Sequence, residues 1–150
     1  MNPFGQGFMS TRTDLANRYF QEIWVQGNLN TLDQIYSPAP AKDCLLPDAV
    51  RSTHEIVELS QMLRQLVQNK TIRVIKSLED GSWVTLLLEM DGADAATGQP
   101  VKMNWQSTMR IENDQILEHY SSVNFMALFE QLGQLPANCF ELMLAGTALQ

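Results

Sequence analysis

The sequence predicts an α+β fold in which helices come first and then lie on one face of a curved antiparallel meander. The result is a cone open at one end. Three observations predict it. Apolar residues recur at helical spacing up to Val67 and at strand spacing from Thr71 to Val123. Short turn signals, Asp80-Gly81 and Asn113-Asp114, join the strands, as hairpins require. Strands and helices do not alternate, which excludes a βαβ series.

The elements follow in order. Residues 1–10 hold Pro3, Gly5 and Gly7 without periodicity and read as a loose arm. Ser10, Thr11 and Thr13 offer caps for a first helix. Leu15, Tyr19 and Ile23 form its stripe, widened by Ala16, Phe20 and Trp24, and Gly27 stops it. Asn30 is placed to cap a short second helix that Pro38 and Pro40 end. Residues 39–51 are irregular. Ser52 or Thr53 caps a third helix, whose apolar face is Ile56, Leu59, Met62, Leu63, Leu66 and Val67. Ile72, Val74 and Ile75 open a strand, and Trp83 to Met90 returns. Asp91 to Gln99 is a longer loop. Along Val101 to Ile111, Val101, Met103, Trp105, Met109 and Ile111 share one face, and Lys102, Asn104, Gln106, Thr108 and Arg110 the other. The last strand is Gln115 to Val123. A helix with Phe125, Leu128, Phe129 and Leu132 ends at Gly133. Asn138 and Glu141 resemble a capping pair for one more helix ending near Gly146. Residues 11–150 thus read as one domain with an extension over 134–150.

Composition excludes several classes of function. A net charge of −7 does not fit a nucleic-acid binder, which needs a basic stripe. No apolar run approaches the length of a membrane span. The chain opens without an export signal, so reduced thiols and a cytoplasmic location are expected. Cys44, Cys139, His54 and His119 are the entire stock of cysteine and histidine, at no metal-binding spacing, and no metal or cofactor is expected. His54 and Glu58 read as a solvated i,i+4 pair, and Asp91 and Asp94 as solvated turn carboxylates.

Three segments carry a family resemblance. The first runs from Tyr19 through Gly27-Asn28-Leu29 to Tyr36. The second runs from Gly98-Gln99-Pro100-Val101 through Met109-Arg110-Ile111-Glu112-Asn113-Asp114-Gln115-Ile116. The third is Glu118-His119-Tyr120-Ser121-Ser122-Val123-Asn124, ending at Gln131-Leu132-Gly133. In this order they resemble the SnoaL-like branch of the nuclear transport factor two-like superfamily, over roughly residues 12 to 133. The resemblance implies a conical barrel with an apolar pocket, often paired as a homodimer through the outer sheet face. It also implies kinship with polyketide cyclases that use aldol chemistry and with steroid isomerases, dehydratases and epoxide hydrolases. Fold kinship alone does not choose among these. Three positions depart from the pattern. Tyr120 stands where the family usually has Trp, Ser121 where it usually has the acid/base Asp, and Asn124 where a second Asp falls. A serine hydroxyl cannot take over the aspartate's role unaided, so an aspartate-driven aldol step is in doubt.

The resemblance sets Leu117, His119, Ser121 and Val123 toward the pocket. The opposite parity would set Glu118, Tyr120 and Ser122 there. On the first register His119 is the candidate catalytic base, acting on a C–H beside a carbonyl. Ser121 and Asn124 would then be hydrogen-bond donors to the enolate. Met103, Trp105 and Ser107 are candidate wall residues, and Tyr36 a candidate at the mouth. Two readings stand. One is a binder of a small apolar or aromatic molecule with lyase, isomerase or cyclase chemistry. The other is a non-catalytic binding or interaction module.

Overall fold

The computed structural model describes residues 11–148. The arm predicted over 1–10, with the Ser10 cap, lies outside them. Helix α1 (Thr11–Arg18) continues as a π-helical segment, Tyr19–Val25, then come α2 (Asn30–Ile35) and α3 (Thr53–Leu66). Strands β1 (Val67–Asp80), β2 (Trp83–Asp94), β3 (Pro100–Glu112) and β4 (Gln115–Val123) follow, and α4 (Phe125–Gln131) and α5 (Cys139–Leu144) close the order. The strands form one antiparallel sheet in chain order that does not close on itself. Helices pack on its inner face over a core that includes Tyr19, Ile23, Leu32, Ile56, Leu88 and Met109. Among the described residues no helix is long and apolar enough to cross a membrane.

The first helix ends as its sequence requires. Gly27 takes a φ of 72°, and the Asn28 amide donates to the Glu22 carbonyl at 2.7 Å. This is the left-handed stop that a glycine adopts at least cost. Ser52 caps α3 in a reciprocal capping box with Glu55, which satisfies two amides otherwise left open. Asn30 does not cap α2. It is the first helical residue, and Leu29 holds the cap position without a side-chain bond. Asn138 likewise precedes α5 without a side-chain capping bond. Met62, expected on the buried face of α3, is 53% exposed.

Strand β1 starts at Val67, directly after α3, so the predicted helical face runs one residue too far and the predicted strand starts late. The loop predicted over 91–99 begins late: β2 runs on through Asp94, and only 95–99 form the turn. Asp94 pairs with Val67 and is buried, its carboxylate accepting from the Ala96 amide at 2.8 Å to close a tight turn. Asp91 is ion-paired to Arg73 and Lys102. The β3–β4 hairpin turns through Asn113 and Asp114, both at positive φ, as a two-residue turn of this twist demands.

One irregularity decides the inner face of β4. Ile111 pairs with Ile116, but Arg110 pairs with Glu118, so Leu117 is an extra residue, a β-bulge. Ile116, rather than Leu117, therefore joins the core. Beyond the bulge His119, Ser121 and Val123 pair with Met109, Ser107 and Trp105, whose face is the inner one. Residues 36–39 extend the free edge of β4. Tyr36 bridges Ile116 in parallel, and the Ser37 and Ala39 amides donate to the Ile116 and Leu117 carbonyls at 3.0 and 2.9 Å.

A candidate site around His119

Between the helices and the inner sheet face lies a hollow of about 490 Å³. Its wall is built from Tyr19, Phe20 and Trp24 of the π-helical segment, Met103 and Trp105 of β3, and His119 of β4. Leu46, Arg51 and Phe125 stand at its exposed rim. The winding of this segment is π-helical, a form that is rare and frequent at functional sites. Trp105 does not plug the hollow. It lies in the wall, edge-on to Phe20 with ring centroids 5.8 Å apart.

His119 is held on two sides. Tyr19 and Phe20 meet its ring edge-on at 5.1 and 6.0 Å. Its Nε2 lies 2.9 Å from the Ser121 hydroxyl and 3.2 Å from that of Ser107, and the two hydroxyls are 2.7 Å apart. Burial among these rings, aided by the positive Arg51, lowers the imidazole from 6.5 to about 4. At neutral pH the ring is uncharged. With the proton on the other nitrogen, Nε2 accepts from a serine hydroxyl and retains the character of a base.

The predicted site residues divide into three groups. His119, Met103, Trp105 and Ser121 front the hollow together with the ring of Tyr36. The Tyr36 hydroxyl is already engaged, donating to the Arg51 carbonyl at 2.8 Å, and burial pushes this phenol up to about 12. Ser107, 1% exposed, sits behind the wall and acts through Ser121 and His119. Asn124 serves elsewhere. Its side chain accepts from the Ala127 amide at 3.1 Å and caps α4, because the strand ends at Val123 and the next helix needs a cap. It is therefore not the predicted donor to an enolate.

Glu118 faces the outer side of the sheet, yet it is buried under its own chain. Its carboxylate accepts from Arg110, from the Tyr120 hydroxyl and from the Leu45 amide. Burial opposes its charge, but these three donors outweigh burial and hold it below the usual carboxylate range. His54 and Glu58 form an exposed pair at 2.9 Å, as expected. Among the described residues no group of three or more His, Cys, Asp or Glu side chains could hold a metal ion.

A family model, the SnoaL-like polyketide cyclase, matches residues 14–132. The chain belongs to the SnoaL-like polyketide cyclase family. A search of curated proteins gave no match. Solved structures agree on the fold. IdmH from Streptomyces antibioticus, provisionally named a polyketide cyclase, superposes with a TM-score of 0.67 at 20% identity, covering 83% of this chain and 99% of its own. A Bacillus cereus protein with the same provisional name gives 0.68 at 18% identity, covering 87% and 86%. A Catenulispora acidiphila protein with a ketosteroid isomerase-like fold gives 0.64 at 15% identity, covering 83% and 95%.

In this SnoaL-like chain, Asp48 and Glu55 line the hollow only at its exposed mouth, and Ser121 stands beside the imidazole. Sequence reasoning missed Arg51 and the rim residues Leu46 and Phe125. Arg51 and Leu46 lie in an irregular stretch, where no periodicity assigns a side chain to a face. The Ser52 cap is the nearest usable signal, since it fixes where α3 starts.

Proposed function

We propose that this SnoaL-like chain binds a small, flat, apolar carbonyl compound and that His119 removes a proton from the carbon next to the carbonyl. One observation carries the reading. A neutral imidazole sits on the aromatic wall of the hollow, with the Ser121 hydroxyl beside its Nε2. The C–H bond breaks, its electron pair becomes the enolate, and the proton passes to Nε2. The Ser121 hydroxyl donates to the developing enolate oxygen. Return of the proton at another carbon completes an isomerisation, and attack of the enolate on a second carbonyl of the same molecule completes a cyclisation. Burial disfavours the imidazolium, so the enolate beside it supplies the countercharge that makes the transfer feasible.

A second reading, a binding module without turnover, draws on Ser121, which leaves no carboxylate at the heart of the site. Deuterium uptake at the methyl carbon of 2-acetylnaphthalene in heavy water, followed by mass spectrometry, separates the two. The wild type is expected to accelerate uptake, and His119→Gln to abolish the acceleration while still binding the ketone. Equal uptake with and without protein, despite binding, would leave only the module. Two buried free thiols, Cys44 and Cys139, support a reducing, cytoplasmic setting.

A further inference from the structure

The rim of the hollow carries an arginine whose position its own fold does not explain. Arg51 lines the hollow with its side chain exposed, and among the described residues it makes no ion pair. It immediately precedes the Ser52 cap of α3, the end of a helix where the dipole disfavours a cation. Its backbone is nevertheless pinned in place, because its carbonyl accepts the Tyr36 hydroxyl at 2.8 Å. The guanidinium is thus free while its anchor is fixed.

The carboxylates nearest the mouth do not neutralise it. Glu55 is engaged with the Ser52 amide at 3.0 Å in the capping box, and Asp48 lies exposed on the preceding turn. The positive charge reaches Glu55 at the mouth, and it is felt inside as well. It works against the burial that raises the Tyr19 and Tyr36 phenols and adds to the burial that disfavours a charged His119, three groups from separate parts of the wall. An unpaired cation at the rim of an aromatic hollow, in a chain of net charge −7, calls for a negative group on the guest.

We propose that Arg51 is a specificity-determining residue, and that the compound held in this hollow carries a carboxylate at the end opposite the carbon that His119 addresses. This deepens the binding reading above and rests on it. The planar guanidinium fork matches a carboxylate with two parallel hydrogen bonds, at a rim where solvent only partly screens the pair. The aromatic body of the guest then fills the wall side, and its carbonyl end meets His119 and Ser121.

The test uses 6-acetyl-2-naphthoic acid and its methyl ester, two guests of the same shape that differ in charge, measured by calorimetry against the wild type and Arg51→Gln. The acid is expected to bind the wild type about tenfold more tightly than the ester. Arg51→Gln is expected to erase that preference while leaving ester affinity within about twofold, since the side chain is exposed and makes no ion pair among the described residues. Equal binding of acid and ester by the wild type would overturn the proposal and leave the pocket reading intact. Parallel weakening of both guests by Arg51→Gln would also overturn it, marking the arginine as structural. Absence of binding by either guest would remove the pocket reading, and this proposal with it.

Discussion

At the level of single residues, His119 decides what the hollow can do. An unfolded imidazole takes its proton near pH 6.5, whereas the folded ring resists until about 4. Between those values the unfolded chain holds the extra proton, so acidification favours unfolding. The stability that His119 contributes is whole above pH 6.5 and is lost as the pH falls toward 4, by about 3 kcal/mol in all. Urea unfolding at pH 7 and pH 4.5 is expected to show a larger loss for the wild type than for His119→Gln. The same loss in both proteins would mean the ring titrates normally. His119 is legible in the sequence because a resemblance set the strand parity and no other inward group titrates near neutrality. Ser107 and Ser121 are legible from the same alternation, although not their mutual bond. Asn124 misleads because a cap and a hydrogen-bond donor to ligand use the same side chain. Arg51 is illegible because an irregular segment has no period to assign its face.

Among the elements, the strap from Ser37 to Arg51 is held down from an unexpected side. Glu118 and Tyr120, on the outer face of β4, accept the Leu45 and Leu46 amides at 2.9 and 3.0 Å, and the same strap carries Leu46 and Arg51 to the rim. Arg110 completes a buried ion pair with Glu118, and breaking such a pair from one side is costly. Glu118→Gln is expected to cost about 3 kcal/mol in urea unfolding. It is also expected to make Cys44, a residue of the strap that is 8% exposed, reactive toward a thiol reagent under native conditions. A Cys44 that stays as unreactive as in the wild type would show that the carboxylate does not tether the strap. The helix–strand order is legible because Gly27, the Ser52 cap and the hairpin turns are strong local signals. The π-helical winding is not, since pairs such as Tyr19/Ile23 and Phe20/Trp24 suit either winding over seven residues. The bulge at Leu117 is equally silent, with no glycine or proline to mark it.

For the molecule as a whole, the α+β architecture is legible because helical and strand periodicities occupy separate, uninterleaved stretches of the chain. The hollow is not, because whether Trp105 fills it or lines it depends on how the first helix sits on the sheet. The inner face of the sheet, the π-helical segment and the strap enclose a cavity that no element provides alone, with the His119 imidazole on its wall. Isotope-labelled NMR of the His119 imidazole, titrated first with acid and then at pH 7 with 2-acetylnaphthalene, tests this most directly. The expected result is a ring that protonates near pH 4 and whose signals move as the ketone binds. A ring that protonates near 6.5 and ignores the ketone would contradict it.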